Sequence, residues 1–251
     1  MDNINKLREK IVKTIYNAQA GHLNSSFSCL ELIFSSLNLL SKNFKFENFV
    51  LSKGHAAVAY YVVLNHFGVL NDQELNNFCK DGSVLYGHPI RDLKNKISFT
   101  TGSLGNGIAA ASGFAYGKKI KKNNQEKIIC LVGDGECNEG IFWETLLLIN
   151  KFDLNNLIII IDDNLSSNEG SKLPDLEKII LAFNNIDYQC IKGHDFNQIN
   201  EVLEKKYYHC QIIHAKTNYG HGSNVTINNK VFHHPKLSQL DLNKIINSLK
   251  K

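Results

Sequence analysis

Residues 128–140 read IICLVGDGECNEG, and residues 157–164 read LIIIIDDN. Each stretch begins as a short apolar run and ends abruptly in glycine or acid. Such runs fit strands buried on both faces of a parallel sheet, and 141–152 between them has helical length and pattern. A strand–helix–strand unit of this kind is right-handed, so the two strands run the same way. Asp134 and Asn164 therefore emerge together at the C-terminal edge, where open α/β folds hold ligands. Their chemistry suits a hard divalent cation. One carboxylate and one amide oxygen leave room for phosphate oxygens to complete the shell, as Mg²⁺ prefers. Gly133 and Gly135 let the backbone approach a phosphate and donate N–H groups to it. The helix after Glu139 would turn its positive end toward the same place. G-D-G alone also fits a turn whose Asp caps a helix; the matching Asn after the next strand favours the ion.

The same alternation continues in both directions. Ile4, Leu7, Ile11 and Ile15 share one helical face. Ser28 and Glu31 predict a capping box opening a helix from 29 to about 40. Residues 49–51 predict a short strand and 56–67 a helix. Asn71 and Glu74 would cap another helix ending near Cys79, and 105–117 forms a helix of small side chains. Strand 127–132, helix 141–152 and strand 157–161 follow. Then come a helix near 174–183, a strand near 188–191, a helix at 196–205, a strand at 211–214 and a helical tail over 237–249. The expected fold class is α/β, a doubly wound, mostly parallel sheet with helices on both faces. One domain over 1–251 is the simplest division, since no repeat, low-complexity linker or proline-rich hinge interrupts the pattern.

Composition narrows the function. The chain has 251 residues and is 43% hydrophobic, enough for one substantial core. The formal net charge of +4 is carried by lysines, because Arg8 and Arg91 are the only arginines. No basic stripe with interleaved aromatics is present, so no nucleic-acid partner is expected. None of the six cysteines forms a C-x-x-C pair, which fits a reduced, cytoplasmic protein. The start, MDNINKLREK, has no apolar signal core, and 157–161 is too short to span a bilayer, so no membrane association is expected.

Five of the ten histidines follow a glycine: His22, His55, His88, His194 and His221. Glycine frees the backbone, and histidine brings a proton-transfer group that titrates near neutrality. Three of them sit in longer phrases. Ala20-Gly21-His22, Leu51-Ser52-Lys53-Gly54-His55-Ala56 and Tyr86-Gly87-His88-Pro89 appear in that order. Thr100-Thr101-Gly102-Ser103-Leu104-Gly105-Asn106-Gly107 follows, ahead of the G-D-G turn. This series resembles the G-H, L-S-x-G-H-A, G-H-P and T-T-G-x-L-G-x-G motifs of transketolases. Residues 133–140 with Asn164 resemble the diphosphate-binding motif of thiamine-diphosphate enzymes, in the G-D-G-x-x-x-E-G form of transketolases.

The resemblance implies thiamine diphosphate as cofactor and Mg²⁺ or Ca²⁺ as the ion. Asp134 and Asn164 would bind the metal by side chain, and Ser166 by its main-chain carbonyl. His55 would contact the diphosphate, Gly135 would donate to it, and Gly102 and Leu104 would line the ring pocket. His22 and His88, with His55, would serve proton transfer and substrate orientation. Glu139 would lie near a route linking paired sites, and Glu144 matches a second family glutamate. Val231-Phe232-His233-His234 resembles a stretch ending in a diphosphate-contacting histidine, and His234 is the favoured one. Arg91 follows the G-H-P motif and would bind substrate phosphate only as a hypothesis.

Two departures stand out. The early motif usually reads G-H-P-G, but here it is Gly21-His22-Leu23-Asn24. The resemblance also covers only the first part of a full transketolase, whose second domain binds the pyrimidine ring and supplies the activating glutamate. A second polypeptide carrying that domain is therefore expected, in an α2β2 heterotetramer that transfers a two-carbon ketol unit from a ketose or its phosphate to an aldose. The alternatives are part of another thiamine-diphosphate enzyme, such as a deoxyxylulose-phosphate synthase or a 2-oxoacid decarboxylase or dehydrogenase, and a non-catalytic cofactor-binding subunit.

Overall fold

The two isoleucine-rich runs pair in parallel, with Ile128 opposite Leu157 and Gly133 opposite Asp162. They are the second and third strands of a five-stranded sheet. The computed structural model describes residues 2–122, 126–166 and 175–250. Its strands are β1 (Phe49–Leu51), β2 (Ile128–Gly133), β3 (Leu157–Asp163), β4 (Ile186–Lys192) and β5 (Cys210–Lys216), in the order β1-β2-β3-β5-β4. Among the described residues every pairing within this sheet is parallel.

Alternating side chains feed two separate cores. Ile129, Leu131, Ile158, Ile160 and Ile213 face one of them. It is closed by α1 (Asp2–Ala18), α2 (Leu23–Ser28), α3 (Leu30–Ser41), α4 (Ala57–His66) and, from later in the chain, α9 (Phe196–Glu204) and α10 (Gln239–Leu249). Ile128, Cys130, Val132, Ile159, Ile161 and Ile212 face the other, beneath α6 (Asn106–Ile120), α7 (Gly140–Phe152) and α8 (Leu176–Ile180). This is the doubly wound arrangement expected from the continuous apolar runs. Ile11 and Ile15 of α1 are fully buried, as their helical spacing predicts. Among the described residues no helix is long and apolar enough to cross a membrane.

One capping assignment holds and one does not. Asn71 and Glu74 form a reciprocal capping box at the start of α5 (Asp72–Asn76). Ser28 and Glu31 do not. The chain forms two helices there, and Cys29 opens α3 with no side-chain cap. The Ser28 hydroxyl instead donates to Asp162 Oδ2 at 2.7 Å, and Glu31 pairs with Arg8. Both side chains are buried, so partners brought by the tertiary fold displace the local cap. The helix expected near 174–183 is α8; residue 174 lies outside the described residues.

Gly105 sets how closely α6 and α7 approach. It caps α6 at φ +79°, and a Cβ there would lie 2.4 Å from Ile141 Cγ2. Gly105→Ala is expected to cost about 2–4 kcal/mol, combining left-handed strain with overpacking. Urea unfolding measures this, and a loss below about 0.5 kcal/mol would contradict the close approach.

Candidate functional site

Asp162 is fully buried near the C-terminal end of β3. A buried carboxylate needs a cation and hydrogen bonds. Lys53, itself 6% exposed, supplies the cation through its Nζ. Ser28 Oγ donates to Asp162 Oδ2 at 2.7 Å, Asn164 Nδ2 donates to it at 3.2 Å, and Thr217 Oγ1 donates to Oδ1. Burial alone would depress the Lys53 ammonium, but the Asp162 charge and hydrogen bond, with help from Asp134, hold it above its ordinary value.

This floor orients the atoms above it. Asn164 Nδ2 also donates to Ser28 Oγ at 3.0 Å, so the amide's donor side is fixed downward. Its Oδ1 accepts from Ser166 N at 2.9 Å and keeps a lone pair for an ion. Asp134 is 3% exposed, and its Oδ1 accepts from Gly135 N at 3.0 Å. Asp134, Ser166, Gly133, Gly135, Glu136, Lys53, His55, Leu104, Ser25 and His233 line one cleft of about 170 Å³. Oxygen donors from Asp134, Asn164 and Ser166, next to glycine amides, fit a hard cation shared with a phosphate ester.

Glu136 clips the motifs together. It is 1% exposed, accepts from Gly133 N at 2.8 Å and Gly105 N at 2.9 Å, and takes the Ser52 hydroxyl. One carboxylate thus joins the L-S-K-G-H, T-T-G and G-D-G turns. Burial pushes its carboxyl up, against those three hydrogen bonds. Gly54 permits another close approach: a Cβ there would lie 2.9 Å from His88 and 3.1 Å from Gly102 N.

The histidines converge at the rim. Ring centroids lie 4.6 Å apart for His22 and His55, 5.1 Å for His55 and His88, and 4.8 Å for His22 and His234. Burial, then the neighbouring imidazoles, lowers His22 to about 3. Burial, then His88 and Lys53, lowers His55 to about 4. His88 and His233 are lowered for the same kinds of reason, burial foremost. At neutral pH the rings of His22, His55, His88 and His233 are uncharged. The Leu23-Asn24 departure leaves His22 inside the cluster, because α2 starts at Leu23 and Asn24 Nδ2 donates to the carbonyls of Thr226 and Asn229.

Other expected residues stand outside the cleft lining. His234 is exposed and its Nε2 accepts from Gly21 N at 3.3 Å, whereas His233 lines the cleft, its Nδ1 bonded to the Tyr219 hydroxyl. Glu139 is exposed, precedes α7 with no side-chain cap bond and packs near Gly105, outside the cleft wall; Glu136 holds the inner position. Glu144 is exposed on α7, and Arg91 lines a separate groove with Lys45, Lys118 and Lys121. Sequence reading missed Lys53, Asp162 and Glu136 as participants. The available signal was charge: a lysine between serine and glycine, and acids closing apolar strands, all need buried partners.

A parallel α/β sheet whose C-terminal edge opens into a cleft lined by Asp134, glycine amides and histidines is the arrangement of a ligand-binding α/β domain. The family model described as "Transketolase, thiamine diphosphate binding domain" matches residues 1–249, and the chain belongs to that family. It is 39% identical to human transketolase over 173 residues, 65% of this chain and 27% of that protein. It is 31% identical to one of the subunits of the apulose-4-phosphate transketolase of Actinobacillus succinogenes, over 94% of this chain and 91% of that one. The crystal structure of Campylobacter jejuni transketolase superposes with a TM-score of 0.83 at 28% identity, covering 98% of this chain and 42% of that one. The chain thus spans about a quarter of the human relative's length and most of the Actinobacillus polypeptide's.

Two outcomes follow from the site's charges. Asp162→Ala should lower stability by about 3–5 kcal/mol because it strands a buried ammonium. The double variant Lys53→Met/Asp162→Leu should recover most of that loss in urea unfolding; equal losses would contradict the pairing. In the unfolded chain His22 and His55 titrate near 6.5, but in the fold they titrate at about 3 and about 4. The unfolded chain therefore takes up protons that the fold refuses, so stability is full above pH 6.5 and falls as pH drops toward 4. Glu136, raised by burial, opposes part of this slope. Thermal unfolding across the window should show a shallower fall for His22→Gln; an unchanged slope would contradict the assignment.

Proposed function

We propose that this chain is the diphosphate-binding half of a two-chain transketolase that moves a two-carbon ketol unit from a ketose, or its phosphate, to an aldose. The observation that carries this is that Asp134, the Asn164-bonded Ser166 and His55 meet in one cleft, with the uncharged His55 packed against His22 and His88. Resemblance to a transketolase polypeptide of similar span, itself named as a subunit, supports a second polypeptide; in this reading that polypeptide carries the pyrimidine-binding domain and the assembly is α2β2. The cysteine pattern supports a cytoplasmic setting. One domain accounts for the chain.

Asp134, Asn164 and the Ser166 carbonyl hold Mg²⁺ or Ca²⁺ in this reading. Gly135 N and His55 bind the diphosphate, with His233 a better-placed neighbour than His234. Gly102 and Leu104 border the rings. Thiamine diphosphate, when bound, supplies the electron sink on which the carbon–carbon bond breaks and reforms. The chain's residues orient and move protons. Neutral His22 and His88 can each accept a proton at one nitrogen while donating from the other, which suits sugar hydroxyls on either side of a reacting carbonyl. Their depressed basicity keeps that dual capacity at neutral pH.

The test mixes the full chain with a pyrimidine-binding partner polypeptide, cofactor, Mg²⁺, a ketose donor and an aldose. Ketol transfer should require both polypeptides, and Asp134→Ala should weaken cofactor binding by at least about tenfold. Full turnover without any partner would contradict the two-chain reading. Turnover of pyruvate in place of ketose would contradict the reaction.

A further inference from the structure

We propose that Asp163, His214 and Tyr188 are positioning residues, a side-chain column that holds the strained turn from Asn164 to Ser166 in the shape an ion needs. The proposal rests on the metal-binding reading above and deepens it. The column crosses three neighbouring strands, β3, β5 and β4. Asp163 and His214 are both buried. Asp163 Oδ2 accepts from His214 Nε2 at 2.8 Å and from Lys216 Nζ at 2.5 Å. A carboxylate only accepts, so the His214 ring carries a proton on Nε2. In that tautomer its Nδ1 accepts from the Tyr188 hydroxyl at 2.7 Å. Both ring nitrogens are engaged, and the orientation of the imidazole is fixed.

Leu165 shows why the turn needs an anchor. It stands at φ +60° between Asn164 and Ser166, and its side chain is exposed. A leucine in the left-handed region is strained, because its Cβ crowds the following carbonyl oxygen. An exposed side chain contributes little packing to offset that strain. Such a backbone persists only where its surroundings over-determine it. At one end the turn is closed by Ser166 N, which donates to Asn164 Oδ1 at 2.9 Å. At the other end it leaves Asp163, the last residue of β3. The Asp163 carbonyl accepts from Thr217 N at 3.1 Å, and its carboxylate is held by the column.

The strand end is thus gripped on both faces. Side chains alternate along a strand, so Asp162 and Asn164 share one face and Asp163 takes the other. Lys53, Ser28 and Thr217 hold Asp162 on the first face. His214 and Lys216, which share a face of β5, hold Asp163 on the second. Lys216 is largely exposed, so solvent screens its share and the buried histidine is the firmer grip. Without it the strand end relaxes toward an unstrained backbone, and Asn164 Oδ1 and the Ser166 carbonyl turn out of position.

The test titrates Mn²⁺ into the full chain with thiamine diphosphate and follows the free ion by electron paramagnetic resonance. His214→Phe should weaken Mn²⁺ binding about tenfold, the lower end for outer contacts of a metal site. His214→Gln can donate to Asp163 and accept from Tyr188, and should restore parental affinity. Tyr188→Phe removes one oxygen at a partly buried position and should weaken binding about threefold. Adding Leu165→Gly to His214→Phe should recover at least about threefold, because glycine adopts the left-handed turn without strain. Leu37→Ala, a core change in the second half of α3, should lose stability in urea and keep its Mn²⁺ affinity. Parental affinity in Tyr188→Phe or in His214→Phe would overturn the proposal. So would equal losses in His214→Phe and Leu37→Ala, or an added Leu165→Gly that recovers nothing. A parent chain that binds no Mn²⁺ would overturn the functional reading and the proposal together, whereas the other contrary results arise in a parent that binds and count against the proposal alone.

Discussion

The buried Lys53–Asp162 pair is the constraint on which the site depends. An ammonium and a carboxylate lie beneath the strand ends, one 6% exposed and the other fully buried. Neither is tolerable without the other. The pair also draws in Ser28, Asn164 and Thr217, from α2, the end of β3 and the loop after β5. Through Asn164 it decides which side of an amide meets the Ser166 backbone at the cleft wall. A charge at the bottom of the site thereby fixes an oxygen at the top.

Above that charged floor the electrostatics reverse. The rim is a nest of imidazoles kept neutral by burial and by one another. Glu136 joins the two levels, because its carboxylate clips Gly133, Gly105 and Ser52 into one unit. A charged, hydrogen-bonded base gives rigidity, while neutral rings keep both a donor and an acceptor available. That combination suits the proposed roles of holding an anionic cofactor firmly and exchanging protons with a sugar.

Much of this was legible in the sequence. Period and apolar runs gave the strands, since residues buried on both faces need no tertiary information to read as strands. The Asp134–Asn164 pair was visible because sheet topology alone carries both to one edge. What escaped depended on distant partners. Ser28 and Glu31 match a local cap, but Asp162 and Arg8 claim them across the fold. Lys53 and Glu136 lie inside the L-S-K-G-H and G-D-G motifs, yet their roles emerge only when three turns meet. The choice between His233 and His234 turned on one residue of register in a loop, which periodicity does not resolve.

The central claim is that Asp134, Asn164 and Ser166 hold a metal against a cofactor diphosphate. The most direct measurement is ³¹P relaxation of thiamine diphosphate on the protein with Mn²⁺ as the paramagnetic ion. Both phosphorus resonances should broaden strongly with the parent chain. They should remain sharp with Asp134→Ala, while Glu139→Gln behaves like the parent. Broadening that survives Asp134→Ala, or that disappears in Glu139→Gln, would contradict the account.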